Sequence, residues 1–147
     1  MSRVVKTFLT VAGTSLLLNL VWENLQAPLY QGYNNFWQHL PICFVASLGD
    51  VLIILVLYFV GAIIHRNIFW IAKMSRADVV LVITLGALIA VGIETWALQS
   101  GRWQYTSLMP LVSYVKIGLL PVMQLTLLPI PTFSLASKFN IYENHNV

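Results

Sequence analysis

Residues 42–64 read ICFVASLGDVLIILVLYFVGAII, an apolar run broken by one carboxylate, Asp50, and closed by His65 and Arg66. At about 1.5 Å of rise per residue, such a run crosses a hydrocarbon core of about 30 Å as a helix. Working outward from it, three further runs of similar length appear. Residues 8–25 follow Arg3 and Lys6, and residues 79–98 follow the polar turn at residues 73–78. Residues 111–136 form the last run, interrupted by Pro121, Pro129 and Pro131. Prolines are tolerated in membrane helices where neighbours satisfy the freed carbonyls, so this run is expected as a kinked or broken helix.

Composition agrees. Of 147 residues, 59% are apolar and 9% charged, against about 45–50% and about 25% in ordinary soluble domains. A globule of this size leaves about a third of its unfolded surface wet. It could not hide that much apolar surface, which excludes a soluble enzyme, a disordered chain and a nucleic-acid module. The net charge of +3 has no clustered basic face behind it. One cysteine, Cys43, excludes an intramolecular disulfide framework and a zinc-type ligand set. No metal or other cofactor is expected.

The expectation is therefore an all-α membrane protein, a four-transmembrane-helix bundle forming one domain over residues 1–147, with a short polar tail at 137–147. The first run has no small-residue cleavage site after it, only Trp22-Glu23-Asn24-Leu25, and is read as a retained helix. Arg3, Lys6, Arg66, Lys73, Arg76 and Lys138 fall on one side of an alternating bundle, leaving Arg102 and Lys116 for the other. The positive-inside rule then puts both termini in the cytoplasm of a cell inner or plasma membrane. Trp22, Trp37, Trp96 and Trp103 gather near the opposite boundary. A faint echo links Glu23, Gly32, Trp37-Gln38 and Pro41 to Glu94, Gly101, Trp103-Gln104 and Pro110, either a duplicated two-helix unit or chance.

Three of the five acidic residues, Glu23, Asp50 and Glu94, lie in or at the edge of apolar runs. A mid-helix carboxylate costs about 2.5–3.5 kcal/mol on insertion scales, so its default reading is functional. All three fall in the outer half, Asp50 about 13 Å below the start of its run. The alternative is that they are interfacial and solvated. Ser15, Asn19, Glu23 and Gln26 share one helical stripe, Ser47, Asp50 and Tyr58 another, and Ser113, Lys116 and Gln124 a third. Gly86 and Ala90 permit close packing. Lys116 either neutralises a carboxylate or snorkels to the headgroups. His39 is either a proton relay or an interfacial histidine.

Low-dielectric surroundings favour the uncharged acid, and a carboxylic acid beside a second polar group serves as a general acid. Aromatic faces stabilise a positive centre. Glu23, Asp50 and Glu94 are thus the candidate catalytic residues, and Asn19, Trp22, Gln26, Trp96, Trp103, Tyr105 and Gln124 the candidate substrate-binding ones. The combination suits acid-initiated chemistry on an apolar lipid or isoprenoid, and equally suits a proton-coupled transporter of lipophilic substrates. A non-catalytic membrane subunit is a third reading. Expected partners are a membrane lipid or isoprenoid, with a homodimer or partner subunit to complete a thin bundle, and no nucleic acid.

Glu94, Gly101-Arg102-Trp103-Gln104-Tyr105 and Gly118-Leu119-Leu120-Pro121-Val122-Met123-Gln124 together resemble the lycopene cyclase domain of small membrane-bound carotenoid cyclases. The portion ending Tyr105-Thr106 is similar to the membrane-bound carotenoid hydratase family. The resemblance implies carotenoid biosynthesis, with an acidic residue at Glu94 acting on a polyene. It departs at the cyclase Pro-x-Glu-Glu motif, which here reads Pro121-Val122-Met123-Gln124.

Overall fold

The structure is a computed structural model that describes residues 2–142. Five α-helices account for most of it: α1 (Arg3–Gln26), α2 (Phe36–Ile64), α3 (Arg76–Gln99), α4 (Leu119–Leu127) and α5 (Pro129–Tyr142). Four stretches, Arg3–Leu29, Phe36–Ile64, Arg76–Gln99 and Leu119–Phe139, are long and apolar enough to cross a membrane. No named strand occurs among the described residues; two isolated bridges, Tyr30 with Tyr105 and Leu111 with Gly118, tie the connections together.

Local chemistry sets each start. Ser2 accepts from the Val5 N–H, and Asn35 Oδ1 accepts from the Gln38 N–H at 3.1 Å, each satisfying a donor that a helix N-terminus leaves open. Ser75 and Asp78 form a full capping box on α3. The Asn35 cap starts α2 at Phe36 and takes Pro41 into its second turn. The expected start at residue 42 is therefore six residues late. Asp50 lies about 21 Å along the helix rather than about 13 Å. The first and third spans likewise extend outward, to Arg3 and to Arg76, because the caps and not the hydropathy set their ends.

The last span departs most. Residues 111–118 are not helical: they close a tight turn in which Lys116 has φ 52° and Val112 N–H donates to Ile117 O at 2.9 Å. Ser113 and Lys116 consequently share no helical face with Gln124, and both are exposed. The helix begins only at Leu119 and breaks at Leu128, where Pro129 and Pro131 take positions in the first turn of α5, the place where a missing N–H costs least. At about 14 Å and about 21 Å, neither α4 nor α5 spans a bilayer alone. The expected polar tail is helical to Tyr142, and its remainder, 143–147, lies outside the described residues.

Pro129 leaves the Leu125 carbonyl without its helical donor, and that oxygen lies against Gly86 of α3. A Cβ on Gly86 would come within 2.2 Å of it, so only glycine allows the two helices to meet there. The half of the bundle nearest the 65–75 connection is solid. Val11, Ile54, Tyr58 and Phe133 are fully buried, and Trp70 folds back from the connection to meet the Phe133 ring edge-on at 5.5 Å. Gly61 makes room for that indole, whose Nε1 donates to Tyr58 O at 3.0 Å. Tyr58 therefore serves this core and does not join Asp50. Arg3 lies over the Phe69 ring at 4.4 Å, which brings the first turn of α1 to the same end as the 65–75 connection.

At the other end, α1 packs on α2 and α3 packs on α4, while α2 and α3 meet sparsely. A space opens between the two pairs.

Candidate functional site

The space is a cavity of about 940 Å³ between α2 and α3, walled at the back by the end of α1 and the start of α4. Ile42, Val45, Ala46, Gly49 and Ile53 of α2 and Ala90 and Ile93 of α3 give it an apolar lining. Ile42 and Val45 are largely exposed on the outer surface of the bundle, so the lining is continuous with the face that meets lipid. Glu23, Asp50 and Glu94 all line this one cavity.

Gln124 organises two of them. It is 2% exposed, and its Nε2 donates to Asn19 Oδ1 at 3.0 Å, Glu23 Oε1 at 3.0 Å and Asp50 Oδ2 at 2.7 Å. Its Oε1 accepts from Gln26 Nε2 at 2.8 Å, and the same Gln26 nitrogen donates to Glu23 Oε1 at 3.0 Å. Behind these, Asn19 Nδ2 donates to Ser15 O at 2.9 Å and Ser15 Oγ at 3.2 Å. The stripe of Ser15, Asn19, Glu23 and Gln26 thus faces inward, carried there by spacings of four, four and three on α1.

An amide nitrogen has two hydrogens, and here three oxygens compete for them. Glu23 Oε1 and Asp50 Oδ2 both accept from this one nitrogen, which sets the two carboxyl groups side by side at the wall of the cavity.

Glu94 is built differently. It is 5% exposed, and its Oε2 accepts from both Tyr105 Oη–H and Trp103 Nε1 (3.3 Å), the pattern of a carboxylate acceptor. The Gly118 N–H in turn donates to the Tyr105 oxygen at 3.0 Å, fixing the phenol between α3 and the start of α4. Burial pushes the Tyr105 phenol well above the ordinary tyrosine range, and its bond to Glu94 adds to the shift. Tyr30, whose ring lies 5.5 Å from that of Tyr105, is raised for the same leading reason, burial. Two connections hold these aromatics in place: Gln31 N–H donates to Gln104 O at 2.9 Å and Thr106 N–H to Leu29 O at 2.9 Å. Gly32 (φ 85°) and Gly101 (φ 67°) make the two turns, in the left-handed region that glycine adopts without strain. The echo extends to these glycines and to Glu23 and Glu94 near the ends of α1 and α3. It stops after the glycines, since Trp37, Gln38 and Pro41 lie inside α2 whereas Trp103, Gln104 and Pro110 lie in the connection between α3 and α4.

Of the expected binding residues, Gln26, Trp103 and Gln124 line the cavity. Asn19 sits one layer behind, and Tyr105 acts through Glu94. Trp22 supports the wall from α1, its Nε1 3.3 Å from Gln26 Oε1. Trp96 is not part of the lining: two residues after Glu94, it falls on the far side of α3, 55% exposed, with the Arg102 guanidinium 5.4 Å from its ring. His39, Arg102, Tyr30 and Cys43 also line the cavity. Tyr30 and Cys43 carried no signal in sequence, because a tyrosine after a short turn and a cysteine in an apolar run look like ordinary packing. Among the described residues no group of three or more His, Cys, Asp or Glu is placed to hold a metal ion.

The arrangement can donate a proton from the Glu23–Asp50 pair, hold positive charge against Glu94 and the Trp103 and Tyr30 rings, and accept a proton at Glu94. Compared with protein-family models, with curated proteins and with solved structures, the chain finds no match in any of the three.

Proposed function

We propose that this protein is a multi-pass membrane protein that takes an apolar, isoprenoid-like lipid into the cavity between α2 and α3 and modifies it by acid/base chemistry. The observation that carries the reading is the meeting of three carboxyl groups in one apolar-lined cavity, above a packed core of Val11, Ile54, Tyr58, Trp70 and Phe133. By the positive-inside rule the basic end, with Arg3, Lys6, Arg66, Lys73, Arg76 and Lys138, faces the cytoplasm, and the cavity opens toward the outer leaflet. A cavity blind on its cytoplasmic side favours binding and chemistry over alternating-access transport.

In the proposed reaction the Glu23–Asp50 pair gives a proton to one carbon of a double bond, whose π electrons form the new C–H bond. The cation left on the neighbouring carbon lies between Glu94 and the Trp103 and Tyr30 faces. Glu94 then takes a proton from an adjacent carbon, the C–H electrons re-form a double bond, and an isomerised hydrocarbon leaves. The resemblance to carotenoid cyclases supports a polyene substrate. The Glu23–Asp50 pair supplies the acid, and Gln124, in the place of the cyclase glutamate, positions it.

Lipid extraction tests the reading. The purified protein is expected to retain an isoprenoid-class lipid, and Glu94→Gln and Asp50→Asn to change its amount or its double-bond pattern. Unchanged lipid content in both variants, with an unchanged pigment phenotype in the cell, would overturn it.

A further inference from the structure

Glu23, Asp50 and Glu94 line one cavity, and among the described residues no lysine or arginine lies within ion-pair distance of any of them. Even with one proton on it, the Glu23–Asp50 pair keeps a negative charge, and Glu94 is held as an acceptor by Tyr105 and Trp103. A second feature points to a ligand. Glu94 is 95% buried, since only 5% of it is exposed, yet both of its hydrogen bonds fall on Oε2. Its Oε1 has no hydrogen-bond partner among the described residues and belongs to a carboxyl that lines the cavity. A carboxylate oxygen out of water with no donor is costly unless a cation or donor meets it. The adjoining walls are aromatic: the Tyr30 and Trp103 rings stand edge to face at 6.4 Å. They offer π-faces, and Trp103 Nε1 is already committed to Glu94. Beyond them the lining turns to aliphatic side chains of α2.

We infer that the cavity binds lipophilic ammonium ions, with the ammonium held by Glu94 Oε1, the Glu23–Asp50 pair and the aromatic faces, and the alkyl chain lying along Ile42, Val45 and Ile53. A quaternary or tertiary ammonium fits these walls better than a primary amine or a metal ion. Its charge is diffuse, it asks for few hydrogen bonds, and aromatic faces attract it most strongly when it is desolvated. The inference rests on the proposed acid chemistry in one respect: a carbocation formed in this cavity and an ammonium bound there place the same charge against the same groups. Lipophilic ammonium ions would accordingly block the reaction. Arg102 also lines the cavity, but its guanidinium lies 5.4 Å from the ring of the exposed Trp96 and pairs with none of the three carboxyl groups.

The test is equilibrium binding of dodecyltrimethylammonium to the full chain in nanodiscs of phosphatidylcholine, measured by calorimetry against empty discs. Dodecyl maltoside serves as the neutral probe with the same chain. Saturable binding is expected, with the ammonium preferred by about tenfold or more, and Glu94→Gln and Asp50→Asn each weakening it about tenfold. Trp103→Leu is expected to weaken it severalfold, and circular dichroism shows that each variant retains its helices. Equal affinity for the two probes overturns the inference, as does an ammonium affinity that neither carboxyl variant changes. If wild-type protein shows no ammonium preference but still carries an isoprenoid lipid, this inference fails and the proposed function stands. Absence of both overturns both.

Discussion

Replacing Gln124 with methionine keeps a side chain of similar length and removes the amide from the centre of the site. Three interactions are lost: the two N–H bonds that serve Asn19, Glu23 and Asp50, and the acceptor for Gln26. Leaving a buried polar group unsatisfied costs about 1–3 kcal/mol in soluble proteins, whereas interhelical bonds in membranes average about 0.6 kcal/mol. Three losses at the membrane value give about 2 kcal/mol. Gln124 is 2% exposed and its partners share few other donors, so the expected cost lies between about 2 and about 5 kcal/mol. The assay is unfolding in detergent micelles followed by tryptophan fluorescence, run as a double-mutant cycle with Asp50→Leu. If the amide is the shared partner, Asp50→Leu costs at least about 0.5 kcal/mol less in the Gln124→Met background than alone. A Gln124→Met protein within about 0.5 kcal/mol of wild type, with additive behaviour in the cycle, would refute the reasoning.

Gly86→Ala places a Cβ about 1 Å inside ordinary contact with the Leu125 carbonyl and is expected to cost about 1–3 kcal/mol by forcing α3 from α4. Gly92→Ala, where an added Cβ meets nothing within 4 Å, is expected to be neutral or stabilising in the same melting experiment. Gly49→Phe fills the cavity from a position with open space around its Cβ, so stability should hold to about 0.5 kcal/mol while co-purified lipid is lost. Normal lipid content in that variant would move the ligand elsewhere. Tyr105 should titrate late. Its folded-state phenol is raised above its unfolded value, so its stabilising contribution is complete below pH of about 10 and drains as pH climbs past that value toward the folded one. An ultraviolet titration of wild type against Tyr105→Phe checks this: the difference between them should lie in the latest-titrating tyrosine.

The number of spans was legible because it depends on length and hydropathy alone. Asp50 in the run at 42–64 did not obscure that run, since one carboxylate barely lowers the mean over a helix. The ends were less legible. Asn35 and Ser75 fix the starts of α2 and α3 by hydrogen bonds that hydropathy does not weigh, and Pro41 looked like a boundary when it sits within a turn the cap had already begun. The run at 111–136 misled for a similar reason. Leu111, Val112 and Val115 are apolar, yet Lys116 in the left-handed region and the Leu111–Gly118 bridge make that stretch a turn.

The stripe of Ser15, Asn19, Glu23 and Gln26 was readable from spacing, because residues three and four apart share a helical face whatever the rest of the chain does. Spacing also revealed that three carboxyl groups lie where lipid should exclude them. What tertiary structure alone decided is that these groups line one cavity, that Gln124 lies between two of them, and that Tyr105 and Trp103 return from a loop to hold the third. Those contacts join residues far apart in the chain, and their geometry depends on the close approach of α3 and α4 at Gly86 and on two loops bonded edge to edge. Periodicity determines which way a side chain points from its own helix; only packing determines what it meets there.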